Sequence, residues 1–317
     1  MKKENLESKL NNFESIELND NKVIEPVAFV YKEGGFGWIV VIACSYSFGI
    51  LVGMINNYAL IYNKLDIVYN NTENHIIYAA WIGSFSTGFQ FFLCILGSIL
   101  TDLFNPRKIG VIGGLLSSAG LLASAFVHDI RLYFITYGVL FAIGQSFLLA
   151  STFAILPHYF NKKLALVNGL MNGFAAILVV VFPILTSIIL DKYGLAETFY
   201  FLGSINFLAG LAAFTYIPLL PQIRKESVSS RIKQSFGLKV FKKHKFSIWC
   251  IASLFGMFGY LIPVVNIDHH SIKAFPNSNP VIINVVFGAF SGISAIIFGK
   301  LGDFTVILMI FNFILYY

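Results

Sequence analysis

Eight long runs of apolar residues decide what this chain can fold into. A membrane-spanning α-helix needs about 20 predominantly apolar residues. The runs lie at 38–62, 79–100, 109–127, 132–155, 164–190, 198–219, 246–267 and 281–300. They are too uniformly apolar for the amphipathic helices of a soluble core, and a helix satisfies its own backbone hydrogen bonds in lipid. The sequence therefore predicts an all-α, polytopic membrane protein.

Composition excludes other classes of protein. Of 317 residues, 57% are hydrophobic and 12% are charged, whereas a soluble domain has about 25% charged residues. The three cysteines lie inside apolar runs without a C-x-x-C partner, so we predict no metal site and no cofactor. The net charge of +6 comes from basic loops, which indicates membrane topology and not nucleic-acid binding. We find no phosphate loop, H-E-x-x-H motif or nucleophile elbow, so no enzyme is predicted.

Basic residues in alternate loops predict the orientation. Arg107 and Lys108 follow the second run, Lys162 and Lys163 follow the fourth, and 221–245 carries eight basic residues after the sixth. Such loops face the cytosol, which puts the amino terminus in the cytosol as well. The sequon that starts at Asn70 then lies in the first exofacial loop, where Asn70 is a glycosylation candidate.

The same pattern predicts four parts of the chain. Residues 1–32 are polar and are expected to form a disordered cytosolic tail. Residues 33–220 are expected to form a six-helix bundle, 221–245 a basic cytosolic linker, and 246–317 part of a second bundle. The linker is expected at least to set topology and to contact lipid headgroups.

Two motifs open the first and fifth apolar runs. The first is Glu33-Gly34-Gly35-Phe36-Gly37-Trp38, and the second is Tyr159-Phe160-Asn161-Lys162-Lys163-Leu164-Ala165-Leu166-Val167-Asn168-Gly169. Glycines permit close backbone approach in membrane helices, and tryptophan is typical of the headgroup level. Together the motifs resemble the two signatures of the monocarboxylate transporter family within the major facilitator superfamily. The stretches from Tyr216 to Pro221 and from Gly259 to Pro263 are most similar to the branch that carries aromatic amino acids and thyroid hormones.

The resemblance implies a major facilitator fold with a six-helix N-terminal bundle and, here, a partial C-terminal bundle. It also implies a gate after the second span of each half, where an acidic residue holds neighbouring helix ends. Ser98, Asp102 and Arg107 match this pattern in the first half, and Gly299 to Asp303 match it in the second. For Asp102 the alternative is simple solvation in a loop.

The resemblance fails at the family's charged substrate positions. The Lys, Asp and Arg of proton-coupled lactate carriers fall on Asn56, Ser291 and Ala295, and two histidines of the aromatic branch fall on Ile55 and Asn266. No ionisable pair is left at membrane depth, where a charge is costly and is kept for function. We therefore expect transport without proton coupling.

Neutral amides are the remaining candidates for substrate binding, because an amide both donates and accepts hydrogen bonds. The candidates are Asn56, Asn57, Gln145, Asn172 and Asn266. Asn168, four residues before Asn172, shares its helix face. The alternative for each amide is a role in holding helices together.

The expected function is facilitative transport of a small organic solute by alternating access. The expected surroundings are the lipid bilayer of the plasma membrane, and a single-span accessory protein is a further candidate partner through the resemblance. The alternative is an incomplete chain that inserts without transporting and acts at most as an interacting subunit, since eight complete spans precede the end where the family has twelve.

Overall fold

A computed structural model of the chain describes residues 34–70, 73–219, 246–248, 250–253, 255–256, 286 and 289–303. Within these ranges the regular structure is helical and contains no β-strand. The predicted all-α fold class is therefore confirmed. The predicted tail at 1–32 and the predicted linker at 221–245 lie outside the described residues.

Six α-helices follow one another along the first part of the chain. They are α1 (Phe36–Val68), α2 (His75–Phe104), α3 (Pro106–Ser124), α4 (Ala142–Tyr159), α5 (Leu164–Lys192) and α6 (Leu195–Ala212). A 3-10 turn (Ile130–Leu132) and a π-helix (Phe134–Phe141) lead into α4, and another 3-10 turn (Ala213–Thr215) ends α6. A further helix, α7, covers 289–303.

Among the described helices, five are long and apolar enough to cross a membrane. They are Phe36–Val68, His75–Phe104, Ile130–Tyr159, Leu164–Lys192 and Leu195–Thr215. The third predicted span is α3, a helix of 19 residues that packs against α4 and α6. The first six predicted spans thus exist as helices, and their observed ends differ from the predicted ends by a few residues. Most of the predicted span at 246–267 lies outside the described residues, and the eighth is described at 286 and from 289 onward.

The turn between α2 and α3 shows how the sequence reverses the chain. Asn105 has a positive φ of 97°, which an asparagine tolerates better than most residues, and Pro106 opens α3 at a position suited to proline. The side chain of Asn105 accepts a hydrogen bond from the backbone N–H of Arg107 at 3.3 Å. One residue thus separates the two helices.

Close helix crossings hold the bundle together. A Cβ at Gly113 of α3 would lie 2.6 Å from the backbone nitrogen of Leu148 in α4, and a Cβ at Gly114 would overlap Gly210 of α6. Membrane helices associate through such packing because lipid supplies no hydrophobic drive between them.

Helices α1 and α5 run in the same direction and meet over three successive turns. Gly49 faces Ala175, Gly53 faces Phe182, and the Asn57 side chain donates to Thr186 Oγ1 at 3.1 Å. The pairing fixes the relative depth of every residue on the two helices, which places the amides described below.

Candidate functional site

The two signature segments lie against each other. A Cβ at Gly37 would be 3.0 Å from Cζ of Phe160, and the Trp38 ring meets the Phe160 ring edge-on at 5.4 Å between centroids. The Phe36 ring lies 6.2 Å from the Tyr159 ring. The glycine at 37 therefore leaves room for an aromatic ring, and we call this arrangement the signature contact.

The other signature residues lie around this contact. Gly34 and Gly35 precede α1, and Gly35 has a φ of 62°, a left-handed conformation that glycine adopts without strain. Lys162 and Lys163 are exposed in the turn between α4 and α5. Glu33 lies outside the described residues.

Asp303 caps helix α5 from another part of the chain. Its Oδ1 accepts a hydrogen bond from the backbone N–H of Ala165 at 2.8 Å, and its Oδ2 accepts one from Leu166 at 2.9 Å. Lys163, the residue at the N-cap of α5, supplies no side-chain cap. The carboxylate thus satisfies two N–H groups that a helix start leaves unbonded and meets the positive end of the helix dipole.

A close crossing of α5 and α7 brings Asp303 to this position. A Cβ at Gly169 would overlap the backbone of Ala295, and one at Gly173 would lie 3.2 Å from the carbonyl oxygen of Gly292. A Cβ at Gly299 would be 3.0 Å from Cα of Gly169. Gly169, the last residue of the second signature, therefore permits the backbone contact that places Asp303 on α5.

The residues of the first predicted gate have other surroundings. Asp102 is exposed at the end of α2 and lines an open surface pocket of about 330 Å³ together with Cys94, Ile95, Ser98 and Ile99. The Arg107 guanidinium lies 5.6 Å from the centre of the Phe214 ring, which follows α6. The second predicted gate joins two helices through the bonds of Asp303 to the start of α5.

Two of the predicted amides are fully buried between helices. Besides the Asn57 bond to Thr186, Gln145 of α4 donates to Asn206 Oδ1 of α6 at 2.5 Å. Asn206 also accepts from Ser117 of α3 at 3.4 Å. Among the described residues, Asn57 Oδ1 and Gln145 Oε1 have no hydrogen-bond partner. In this structure both amides connect helices.

Asn56 and Asn172 are exposed. Each donates to the carbonyl oxygen four residues earlier in its own helix, Asn56 to Val52 at 2.9 Å and Asn172 to Asn168 at 2.8 Å. From the pairing of α1 with α5, Asn172 lies about 20 Å from the level of Asn56 along the bundle, at 1.5 Å per residue. The structure therefore does not bring the predicted amides into one cluster. Asn266 lies outside the described residues.

A sequence comparison identifies the protein family to which the chain belongs. The sequence model of the Major Facilitator Superfamily matches residues 37–316 of the chain. The chain belongs to the major facilitator superfamily. This match confirms two predictions from the sequence, the major facilitator fold and a chain that crosses the membrane several times.

The similar curated proteins are monocarboxylate transporters. Monocarboxylate transporter 10 of Rattus norvegicus is 33% identical over 287 residues, which is 86% of this chain and 56% of that protein. Monocarboxylate transporter 10 of Danio rerio is 32% identical, with 88% of this chain and 57% of that protein covered. The chain thus spans little more than half the length of these relatives. The predicted relationship to the monocarboxylate transporters is confirmed, and the branch within that family stays a prediction.

A solved member of the superfamily, a proton:xylose symporter bound to 6-bromo-6-deoxy-D-glucose, matches at a TM-score of 0.47 and 15% identity. That match covers 86% of this chain and 69% of the symporter. Its level of similarity adds nothing about the site.

The described part of this superfamily member keeps its charges near helix ends or in turns. At the positions where the sequence predicts a loss of charge, Ser291 is exposed on α7, and the backbone of Ala295 packs against Gly169. Asn70 is exposed in the turn after α1, and residues 71–72 lie outside the described residues.

Several buried polar residues of the bundle were not predicted. Thr186 and Asn206 bond to Asn57 and Gln145, and Gln90 of α2 is 2% exposed. The sequence does single these residues out, because each is a polar residue inside an apolar run. The contacts of Thr186 and Asn206 are not readable from the sequence, because their partners Asn57 and Gln145 are on other helices.

Proposed function

We propose that this protein carries a small organic solute across the plasma membrane by alternating access between two helix bundles. The expected solutes are an amino acid, an iodothyronine or a monocarboxylate. Membership of the major facilitator superfamily and the similarity to proteins named monocarboxylate transporters support the proposal. The basic loops support a cytosolic amino terminus.

The single observation that carries the proposal is the cap of α5 by Asp303. The cap joins α5 to α7, and these helices lie on either side of the predicted linker at 221–245. A carboxylate at a helix start is held by charge and by two hydrogen bonds, which water can replace when the helices separate. The proposed gate is therefore closed when Asp303 binds α5 and open when it leaves. Asp102 and Arg107 are proposed to act at the corresponding end of α2 and α3.

The absence of proton coupling rests on the neutral residues at the family's charged positions. Asn56, Ser291 and Ala295 cannot exchange a proton near neutral pH. A proton relay through a membrane requires ionisable groups at depth. We infer that the solute moves down its own gradient.

Asn56 and Asn172 are the proposed substrate contacts within the described residues, because their side chains are exposed. They lie about 20 Å apart along the bundle, so a small solute would contact them at separate levels of the path. Asn57 and Gln145 are proposed to support the path by holding α1 to α5 and α4 to α6. Asn266, outside the described residues, stays a predicted contact.

The test is a flux panel on the purified full-length protein in liposomes. Radiolabelled amino acids, iodothyronines and monocarboxylates are offered one at a time, and protein-free liposomes give the background. For a solute that moves, Asn56→Ala is expected to reduce flux about tenfold, the effect of losing about 1.4 kcal/mol of a hydrogen-bonded contact. Asn63→Ala is the matched control, since Asn63 is also exposed on α1.

Movement of none of the solutes would contradict the transport proposal and favour the alternative of an interacting subunit. Movement that appears only after co-reconstitution with a single-span membrane protein would assign the accessory partner that the purified chain lacks. Equal loss in Asn56→Ala and Asn63→Ala would remove Asn56 from the proposed contacts.

A further inference from the structure

The segment 213–217, which we call the exit segment, follows α6 and is held inside the bundle. Tyr216 is fully buried and is the largest side chain so enclosed among the described residues. Its hydroxyl donates to Ser47 Oγ of α1 at 3.1 Å and lies 3.2 Å from Thr152 Oγ1 of α4. A tyrosine buried with its hydroxyl bonded fixes the local backbone in one place.

Other contacts fix the exit segment on both sides of Tyr216. The Tyr159 hydroxyl donates to the carbonyl oxygen of Ile217 at 2.7 Å, and the Arg107 guanidinium covers the Phe214 ring. A Cβ at Gly110 of α3 would lie 2.9 Å from Cβ of Ala213. The exit segment therefore touches α1, α3 and α4 at once.

One of the residues that hold the exit segment, Tyr159, also takes part in the signature contact. Tyr159 bonds to Ile217, and its Cβ would be 3.3 Å from a Cβ at Gly37. The Tyr159 ring also faces Phe36, and the next residue, Phe160, packs on Trp38. Because packed interiors deform little before neighbouring groups must move, the two contacts cannot rearrange independently.

We infer that Tyr216 and Tyr159 are positioning residues that couple the exit segment to the signature contact. Release of the exit segment loosens the start of α1 and the end of α4, and a locked exit segment keeps them together. The inference concerns the mechanical link between α6 and the signatures and does not depend on which solute, if any, the protein carries.

The test is hydrogen–deuterium exchange of the full-length protein in lipid nanodiscs. Tyr216→Phe keeps the ring and removes the hydroxyl. The amides of the region 215–219, in which Pro218 has no N–H, are expected to exchange about tenfold faster, the effect of losing one buried hydrogen bond. The amides of the regions 38–42 and 156–160, in which Pro157 has no N–H, are expected to speed up in parallel. The amides at 78–84, near the start of α2, are expected to stay unchanged.

The matched control is Tyr200→Phe, because Tyr200 is an exposed tyrosine on α6. It is expected to leave all four regions unchanged. Acceleration confined to 215–219 in Tyr216→Phe would overturn the inference, since it would show a local role only.

If Tyr216→Phe speeds up exchange equally in every helix, the variant Tyr159→Phe replaces it in the test. Exchange at 38–42 is again compared with exchange at 215–219. That variant loses the bond to the Ile217 carbonyl and leaves the Tyr216 bonds in place. Faster exchange at 38–42 together with 215–219 supports the coupling, and faster exchange at 215–219 alone contradicts it. A failed flux panel would not affect either result, so the two proposals are separable.

Discussion

Asp303 caps helix α5 at Ala165, which is 138 residues earlier in the chain. The bond connects the end of α7 to the residues that follow the two exposed lysines of the second signature. Through this contact a helix that lacks its own side-chain cap is completed by a separate segment. The bonded residues are far apart in the sequence and belong to different helices. The two helices can therefore separate when the bond breaks, and each helix stays intact.

Replacing Asp303 by alanine should destabilise the protein. The change removes both hydrogen bonds to α5 and the charge at its positive end, and is expected to cost about 1–2 kcal/mol. The measurement is thermal unfolding in detergent. Asp191→Ala is the control, because Asp191 lies in the last turn of α5, where the dipole does not favour a negative charge. An equal loss in both variants would contradict the cap.

The crossing of α5 and α7 should not accept a methyl group at Gly169. In Gly169→Ala the new Cβ would overlap the Ala295 backbone, so the helices must separate, at an expected cost of about 1–3 kcal/mol. Gly88→Ala is the control, since a Cβ at Gly88 would meet no atom within 4 Å. The readout is again the midpoint of thermal unfolding. If Gly169→Ala is as stable as Gly88→Ala, the crossing is not as close as described.

The signature contact should depend on the Phe160 ring. Phe160 is 1% exposed, and Phe160→Ala is expected to cost about 3–5 kcal/mol through lost packing against Gly37 and Trp38. Phe126, which is 68% exposed, supplies the control variant Phe126→Ala. Unfolding by denaturant in mixed micelles measures the difference between the variants. A loss in Phe160→Ala no larger than in Phe126→Ala would mean that the ring contact contributes little.

The neighbours Asn56 and Asn57 should differ in how much stability they lose on alanine substitution. Asn57 is fully buried and bonded to Thr186, so the double-mutant cycle of Asn57→Ala with Thr186→Ala should give a coupling of about 0.6–1.7 kcal/mol. Asn56→Ala should leave stability within about 0.5 kcal/mol, as expected for an exposed site. A coupling of zero for the Asn57 pair, or a large loss of stability in Asn56→Ala, would reverse the assignment.

The sequence predicts the helices well because membrane helices are selected by length and apolarity, which are local properties. The π-helix before α4 was not predicted, because the apolar run at 132–155 is equally compatible with a regular helix. The superfamily was predicted from two short motifs, and the family comparison confirms it.

The candidate site was less predictable. Asp303 was singled out as a gate residue, but the identity of its partner helix requires the three-dimensional arrangement. Asn56 and Asn57 stand side by side in one apolar run, yet about 100° of helix rotation separates an exposed amide from a buried one. The face that meets α5 is set by Gly49 and Gly53, whose partners lie more than a hundred residues away.

The most direct test of the account is uptake by proteoliposomes of the full-length protein, measured with and without an imposed proton gradient. For a solute from the panel, we expect protein-dependent uptake whose initial rate is the same in both conditions, because no ionisable pair occupies the family's charged positions. Uptake that occurs only with the gradient would contradict the absence of proton coupling. Uptake of none of the solutes in either condition would contradict transport itself.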